Sequence, residues 1–351
     1  MHPTPFKNFN PNSGILLVRK PAGPSSASFA RKIGRLLDIQ KVGHAGTLDP
    51  FAEGILLVLL GEGTKLSSYL MSYEKAYEAM FLLGRKTDTY DSEGKILEEK
   101  GVSKDLSLEK IQSVLEQFKG TFRQIPPVFS AKKKNGVSSY RLARKGKVVA
   151  LEAQEVNISQ LQVLSWKCPF LKIALRSSKG MYVRSLANDV GEILGCGAYL
   201  HQLKRISHGP FQFEQAISCQ TLEEAKERQE LPKILQTHLL SLHQSLPLFP
   251  FVQLMPKSLA DYVRQGRNPN ISWLREKFQD ARFSKASIIK IIDSNEHLIA
   301  LLERKITSET SGKPHFSYLR VFNKVALQSS DLHARRAKNW DRPLKNYRDI
   351  Y

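Results

Sequence analysis

The segment that decides the fold of this chain is Gly43-His44-Ala45-Gly46-Thr47-Leu48-Asp49-Pro50, which lies between two apolar elements. A helix is predicted upstream, after Ser26, because apolar residues recur there at helical spacing. Downstream, residues 55–60 form a continuous apolar run, which predicts an interior strand. The glycines permit tight backbone turns. The segment is therefore predicted to be a loop that presents His44 and Asp49 from between two buried elements.

The residues of this loop do not by themselves decide whether it has a catalytic or only a structural role. Asp49 followed by Pro50 is a common pair at the start of a turn, and His44 could simply hydrogen-bond the turn. The functional interpretation is a catalytic carboxylate at Asp49. A hydrolase with a Ser–His–Asp triad is the rival, but the sequence contains no G-x-S-x-G elbow.

Working outward, strands and helices alternate irregularly along the chain. Residues 15–18 and 77–83 read as strands, and 171–175 alternate between apolar and polar side chains as a half-buried strand does. Residues 107–119 have a helical apolar stripe, with Ser107 as the N-cap and Gly120 at the C-terminal end. This mixture predicts an α+β fold rather than a doubly wound sheet.

Composition shifts divide the chain into four parts. Residues 1–13 are rich in Pro, Asn and Ser and are expected to be a ragged N-terminus. A boundary near Pro250 separates a main domain, 14–250, from short β-rich runs in 251–327, which predict a small β domain. Residues 328–351 are read as a basic tail.

The charge balance favours a polyanionic partner. The 351 residues include 53 Lys plus Arg against 33 Asp plus Glu, a formal net charge of +20. Nucleic acid and anionic membrane both fit such an excess. The longest apolar run is far short of the roughly 20 residues that span a bilayer, and no signal peptide is visible. The three cysteines are scattered, so a reducing cytoplasm is the expected location.

Positive charge is concentrated between residues 121 and 150. This segment has no acidic residue, and its cations are Arg123, Lys132, Lys133, Lys134, Arg141, Arg144, Lys145 and Lys147. Phe129 and Tyr140 are interleaved with them. The pattern favours a surface that grips phosphates and stacks on bases. A solvated basic loop is the alternative.

Several other motifs fail on spacing. Residues 61–65 have the letters of a P-loop in the wrong order. Residues 88–94 resemble a calcium loop without its terminal Glu and are better read as a hairpin turn. The nine His form no HExxH motif, so no metal is expected.

Read together, the motifs resemble the TruB family of bacterial tRNA pseudouridine-55 synthases. The loop and its flanks, Lys41-Val42-Gly43-His44-x-Gly46-x-Leu48-Asp49-Pro50-x-Ala52-x-Gly54, match the family signature. Further matches, in the family's order, are Lys20-Pro21-x-Gly23-x-Ser25-Ser26, Lys75-Ala76-Tyr77, Gly84-x-x-Thr87-Asp88-Thr89-x-Asp91, Gln124-Ile125-Pro126-Pro127, Lys179-Gly180-x-Tyr182-Val183-Arg184-Ser185-Leu186 and Leu203-x-Arg205. The resemblance covers residues 14–210. Phe129 departs from it, since the family usually has Tyr there, and the basic tail is longer than expected.

The resemblance implies a fold and a set of roles. It implies a catalytic domain at 14–250 with a mixed, largely antiparallel sheet, and a PUA-like β domain at 251–327. It implies an isomerase that converts one uridine of the tRNA T-arm loop to pseudouridine by base flipping. The implied catalytic residues are Asp49 as the nucleophile, Tyr77 stacking on the uracil and Arg184 keeping Asp49 charged.

The resemblance also implies residues that bind the RNA. Tyr182 hydrogen-bonds within the site, Leu203 packs against the base and Lys20 lines the pocket. His44 fills the gap left by the flipped uridine or holds the neighbouring bases apart. The basic segment would grip the T-arm, with Lys132, Lys133, Arg141 and Arg144 as its contacts. The reaction gains and loses no atom, so no cofactor or metal is expected.

Three alternatives stay open at this point. One is a synthase for another RNA, like the guide-directed dyskerin-type relatives, which depend on partner proteins. The basic segment favours a stand-alone enzyme with no obligate protein partner. A second is an RNA-folding chaperone, either alone or as an additional role of the enzyme. A membrane-surface protein that uses the basic tail is the third.

Overall fold

The computed structural model describes residues 10–129, 133–134, 137–138, 151–254, 257–267, 286–306 and 314–322. The chain divides into two compact units, Met1–Leu248 and Phe249–Tyr351. Most of the predicted ragged N-terminus, most of the basic segment and all of the basic tail lie outside the described residues. Their predicted boundaries stay predictions.

Among its described residues, the first unit contains the two helices that apolar periodicity predicts, one after Ser26 and one within 107–119, and four more. Its helices are α1 Ser26–Leu36, α2 Ser67–Met71, α3 Leu108–Glu116, α4 Val183–Ile193, α5 Cys219–Glu227 and α6 Leu231–His238. The Ser107 side chain accepts a hydrogen bond from the Lys110 amide, so Ser107 is the N-cap of α3 as predicted. The helix ends earlier than predicted, and Gly120, at φ +85°, begins the next strand instead.

The described strands of this unit range from two to fourteen residues in length. They are β1 Gly14–Lys20, β2 Val42–Ala45, β3 Glu53–Leu60, β4 Lys75–Leu83, β5 Arg85–Thr87, β6 Ile96–Glu99, β7 Gly120–Gln124, β8 Lys133–Lys134, β9 Val137–Ser138, β10 Gln154–Lys167, β11 Phe170–Ser177, β12 Ala198–His208, β13 Phe211–Gln212, β14 Ile217–Ser218 and β15 Leu239–Leu240. The predicted hairpin turn at 88–94 connects β5 to β6.

Among the described residues, eleven of these strands form one sheet, with the order β14-β1-β3-β12-β4-β11-β10-β7 along its main path. The pairs β1–β14 and β3–β12 are parallel, and the other pairs are antiparallel. The sheet is therefore mixed and largely antiparallel, as predicted. Helices α3 and α4 pack over β4, β10 and β11, while α1, α5 and α6 pack against β1 and β3.

One row of residues crosses five neighbouring strands. In the register of the sheet, Lys20 on β1 lies opposite Gly54 on β3, Gly54 opposite Arg205 on β12, Arg205 opposite Tyr77 on β4, and Tyr77 opposite Leu175 on β11. Residues that are far apart in sequence therefore meet at one level of the sheet. Four of them, all except Leu175, belong to motifs on which the family resemblance rests.

Gly54 permits the close approach of β3 and β12 within this row. Its φ is +124°, and a Cβ there would lie 2.3 Å from the Arg205 carbonyl oxygen and 2.5 Å from the Arg205 amide nitrogen. Backbone atoms cannot move aside as a flexible side chain can. Only glycine fits this position without moving Arg205.

We expect Gly54→Ala to lower the free energy of unfolding by about 2 kcal/mol or more, because it adds a steric clash and an unfavourable φ. The measurement is a thermal or urea unfolding curve. Gly101→Ala is the matched control, since a Cβ at Gly101 meets no atom within 4 Å and its φ is not in the positive range. Equal stability of the two variants would contradict this account of the strand contact.

The second unit is a small α/β body. Strands β16 Phe251–Gln253, β17 Ile288–Ile292, β18 Leu298–Ile306 and β19 Pro314–Val321 form a four-stranded sheet in that order, accompanied by helix α7 Lys257–Arg264. Its core contains Val252, Ile289, Ile291, Ala300 and Phe316. The predicted C-terminal sheet domain is thus present; its PUA-like character stays a prediction.

Candidate active site

A cleft of about 510 Å³ opens where the row of residues meets the 46–52 loop and the start of α4. Five of the residues singled out from the sequence line it: Asp49, Tyr77, Tyr182, Arg184 and Leu203. They come from four separate segments of the chain. The fold therefore brings together the three predicted catalytic residues and two of the predicted binding residues.

Arg184 is held between two carboxylates. Its Nε lies 2.9 Å from Asp49 Oδ2, and its Nη2 donates to Asp49 Oδ1 at 3.2 Å. On the other side, Nη1 lies 3.3 Å from Asp91 Oδ2. The side chains of Arg184 and Asp91 are each 5% exposed, whereas that of Asp49 is 31% exposed. Asp49 thus faces the cleft, and Asp91 supports Arg184 from the protein interior.

Asp91 was not among the residues predicted for the site. Thr89 Oγ1 and the Glu93 amide both donate to Asp91 Oδ1, at 2.5 and 3.1 Å. Thr87 Oγ1 donates to the Asp91 backbone carbonyl at 2.8 Å. The interpretation of 88–94 as a hairpin turn was right about the backbone, but it assigned no role to the Asp91 carboxylate. The family match at this segment is the signal that could have indicated that role.

The loop that carries Asp49 is held by side chains on both flanks. The buried Ser26 hydroxyl both accepts from the Leu48 amide and donates to the Leu48 carbonyl, each at 2.8 Å. Arg205 Nη2 donates to the Gly46 carbonyl at 3.0 Å, and its Nε to the Ile55 carbonyl at 2.8 Å. These bonds fix the backbone on either side of Asp49.

Tyr77 and Arg205 face each other across β4 and β12. Their side chains are hydrogen-bonded, and Arg205 is fully buried. Burial raises the pKa of the Tyr77 phenol, and the neighbouring Arg205 guanidinium partly offsets that rise. The phenol is therefore neutral near pH 7 and lies in the cleft as an aromatic surface with one polar end.

Comparison with known proteins identifies the family. Residues 34–183 match the N-terminal domain of TruB family pseudouridylate synthases, and residues 184–246 match the C-terminal domain of tRNA pseudouridylate synthase B. The tRNA pseudouridine synthase B of Pseudomonas aeruginosa (strain UCBPP-PA14) is 40% identical over 276 residues, which cover 77% of this chain and 90% of that protein. The chain belongs to the TruB family of pseudouridylate synthases. The tRNA pseudouridine synthase B of Francisella philomiragia is 38% identical over 241 residues, or 69% of this chain and 79% of that protein.

Solved structures share the fold at lower identity. A chain of a Cbf5-Nop10-Gar1 complex has a TM-score of 0.65 at 22% identity and covers 90% of this chain and 84% of its own length. A chain of an H/ACA RNP bound to a substrate RNA containing 2′-deoxyuridine has a TM-score of 0.64 at 20% identity, covering 90% and 92%. Together with the family match, these likenesses confirm the predicted fold class.

Both TruB family domains contribute to the cleft. Asp49 and Tyr77 belong to the N-terminal match, whereas Arg184 and Leu203 belong to the C-terminal match, which begins at Arg184. Arg184 lies in the first turn of α4, just after Tyr182 at the N-cap. The buried Gln124 side chain holds Tyr182 from both sides, donating to its carbonyl at 3.1 Å and accepting from its amide at 2.8 Å. Gln124 belongs to a motif that matches the family, but this role was not predicted for it.

Lys20, which the TruB resemblance placed in the lining of the pocket, lies beside it instead. Lys20 is 1% exposed, and its Nζ donates to the carbonyls of Pro21, Pro50 and Ala52 at 2.9, 3.1 and 2.7 Å. It therefore holds the Asp49 loop and does not line the cleft. His44 lies on β2, also outside the cleft lining, and burial lowers its pKa.

The predicted cationic contacts with RNA are not tested by the structure. Lys132, Arg141 and Arg144 lie outside the described residues, and for Lys133 only the backbone is described, paired with Ser138. Within the described part of the chain, no group of three His, Cys, Asp or Glu residues could hold a metal ion. No helix there is both long enough and apolar enough to cross a bilayer.

Burial raises the pKa of the Asp49 carboxyl above its ordinary value. Arg184 opposes that rise, and the negative charge of Asp91 adds to it. The raised pKa means that Asp49 stays protonated to a higher pH than a free aspartate. Loss of its ionised form is therefore expected as the pH falls through this raised pKa.

We expect Asp91→Asn to lower the pKa of Asp49, because it removes a nearby negative charge while Arg184 stays in place. The measurement is an NMR titration of protein labelled with ¹³C at the aspartate carboxyl. Asp88→Asn is the matched control: Asp88 lies in the same hairpin, and its Oδ1 accepts from the Lys95 amide, away from Arg184. An unchanged Asp49 pKa in Asp91→Asn would show that the two carboxylates are not coupled.

Proposed function

We propose that this protein is a tRNA pseudouridine-55 synthase, which isomerises the uridine of the T-arm loop. The observation that carries the proposal is the paired contact of Arg184 with Asp49 at the wall of a cleft that also contains Tyr77. Membership of the TruB family and the names of its relatives support tRNA as the substrate. No additional reactant is needed, because substrate and product have the same atoms.

The reaction exchanges one glycosidic bond for another. The bond from C1′ to N1 of uracil breaks, the base turns, and a bond from C1′ to C5 forms. The hydrogen on C5 leaves as a proton, and N1 gains one. Asp49 acts as the carboxylate nucleophile that begins this exchange, and its partly exposed oxygens face the space where the base enters.

Arg184 serves Asp49 in two stages. Before attack it favours the ionised carboxylate against the cost of burial. When Asp49 forms a covalent bond, its negative charge is lost, and a buried guanidinium without a partner is costly. Asp91 then remains as the counter-charge of Arg184, so the guanidinium keeps an anionic partner after Asp49 has reacted.

Tyr77 and Leu203 form the surfaces that receive the flipped uracil. Base–aromatic stacking replaces the stacking that the uridine loses when it leaves the RNA loop. The Tyr77 phenol is neutral, so stacking is its main task, and Arg205 fixes the direction of its hydroxyl. Leu203, on β12 and 7% exposed, packs against the opposite edge of the base.

The remaining parts of the proposal concern how the RNA is gripped. We assign the contacts with the T-arm to the 121–150 segment, through Lys132, Lys133, Arg141 and Arg144. We assign to His44 the role of filling the gap that the flipped base leaves in the RNA. The second unit would act as a PUA-like domain. We place the protein in the cytoplasm, as a stand-alone enzyme without an obligate protein partner or a membrane partner.

We expect Asp49→Asn to abolish tritium release from a tRNA transcript that contains uridine tritiated at C5, because the amide cannot act as the nucleophile. The intact protein should release about one equivalent per tRNA, as a single-site synthase requires. Asp105→Asn is the matched control: Asp105 is exposed in the loop before α3 and does not line the cleft. It should release tritium like the intact protein.

Binding must be measured beside turnover. Asp49→Asn is expected to bind tRNA with nearly unchanged affinity, because the RNA-gripping surfaces are untouched. Tight binding without tritium release by the intact protein would contradict the synthase assignment and favour the chaperone alternative. The additional chaperone role stays a prediction; it requires that Asp49→Asn still accelerates tRNA refolding.

A further inference from the structure

The wall of the cleft carries two cations that the proposed chemistry does not use. They are Lys75 from β4 and Lys179 from the loop before α4. The carboxylates that line the cleft are Asp49 and Glu155. Within the described residues, neither Lys75 nor Lys179 makes an ion pair with any carboxylate.

The ammonium group of Lys75 is unusual because it is almost fully buried. Its side chain is 5% exposed, and its Nζ donates to the carbonyls of Met71 and Tyr73 at 2.6 and 2.5 Å. An ammonium has three donors, and these two bonds leave one for a ligand. Buried cations without a counter-charge are costly, so a site that keeps one is suited to receive an anion.

A second feature of the same wall points to an anion. Helix α4, of eleven residues, begins at Val183, which lines the cleft, and its N-cap residue makes no side-chain cap. The amide groups of a helix N-terminus favour negative charge. Lys179 lies four residues before this helix start and is exposed. Three sources of positive potential thus lie in the lining of one cleft.

The position of Lys75 relative to Tyr77 identifies the anion. Both side chains lie on the same face of β4, two residues apart, which is about 7 Å along a strand. This spacing is comparable to that between a nucleotide's base and the phosphates attached to its ribose. On the basis of the proposed function, which puts the flipped uracil on Tyr77, we propose that Lys75 and Lys179 form a subsite for a backbone phosphate beside the flipped uridine.

The test measures the affinity of the T-arm hairpin RNA for variants of the full chain. A set of hairpins carries a single uncharged methylphosphonate linkage, each at a different phosphate near the target uridine. Lys179→Gln changes an exposed side chain, so it carries little risk to the fold. Because Lys75 is buried, thermal unfolding of Lys75→Met is first compared with that of the intact protein to check that the variant folds. Lys110→Gln is the matched control, because Lys110 is exposed on α3 and is not part of the cleft lining.

We expect Lys179→Gln and Lys75→Met each to weaken binding of the all-phosphate hairpin about tenfold, as for loss of a charge-assisted contact. The slope of log K against log salt should fall by about 0.7. A methylphosphonate at one position should weaken binding to the intact protein by a similar factor. With that hairpin, both lysine substitutions should have little further effect on affinity. Lys110→Gln should show no such coupling.

A pH series gives a second readout that a structural role would not move. Burial lowers the pKa of Lys75 to about 7, with Arg205 and Lys179 adding to the effect. Since the phosphate binds the protonated form, affinity should fall as the pH rises from 7 to 9. Lys75→Arg keeps its charge and should flatten this fall. Lys20, whose pKa is about 8, is common to both proteins and cancels in the comparison.

The other groups that face Lys75 do not titrate in this window. His208 lies opposite Lys75 in the sheet, and burial keeps its pKa well below the ordinary value. Arg205 stays a cation, and burial raises the pKa of Tyr77 above 10. The difference between the intact protein and Lys75→Arg therefore reports on Lys75.

The outcomes separate this proposal from the function on which it rests. If the intact protein releases tritium but no methylphosphonate position couples to Lys75 or Lys179, the phosphate subsite is wrong and the synthase assignment stands. If coupling is found without tritium release, the subsite binds RNA and the synthase assignment fails. Equal losses at every methylphosphonate position would also overturn the subsite, since they would show only general attraction.

Discussion

The arrangement of Arg184 between Asp49 and Asp91 is the interaction on which the rest of the site depends. One guanidinium shared by two carboxylates leaves the group with a net negative charge in a largely buried place. Such a group is stable only if its geometry is fixed by further hydrogen bonds. Thr89 and the Glu93 amide supply them to Asp91, and the exposed edge of Asp49 keeps contact with solvent until RNA fills the cleft.

The backbone around Asp49 is held by cations whose partners are carbonyl oxygens. Lys20 and Arg205 are both buried, and both donate to carbonyls of the loop or its flanks. Carbonyl dipoles satisfy the donors without neutralising the charge. The charge of Lys20 therefore still acts on Asp49, where it lowers the pKa of the carboxyl and favours its ionised form. The hydrogen bonds that fix the loop therefore also keep a positive charge close to Asp49.

Local patterns predicted much of this fold, and long-range contacts account for what they missed. The strands at 15–18 and 55–60 and helix α3 with its Ser107 cap follow from apolar periodicity and capping, which are properties of neighbouring residues. The loop predicted at 43–50 begins only after Ala45, because Val42–Ala45 pairs with β3 as strand β2. Asp91 and Gln124 act on residues more than fifty positions away, so no local pattern reveals their tasks. Lys20 was expected to line the cleft, because its motif indicates proximity to the site but not the direction of its side chain.

Two bulges in the pairing of β12 with β4 determine where the chain can gain or lose a residue without changing the site. The register against β4 shifts between Leu200 and Gln202 and again between Arg205 and Ser207, leaving an unbroken ladder over residues 202–205. An added residue within that ladder would turn Leu203 and Arg205 to the opposite faces of the sheet. Outside it, bulges already absorb an extra residue. Length variation among relatives is therefore expected at the ends of β12 and not in the four residues between its bulges.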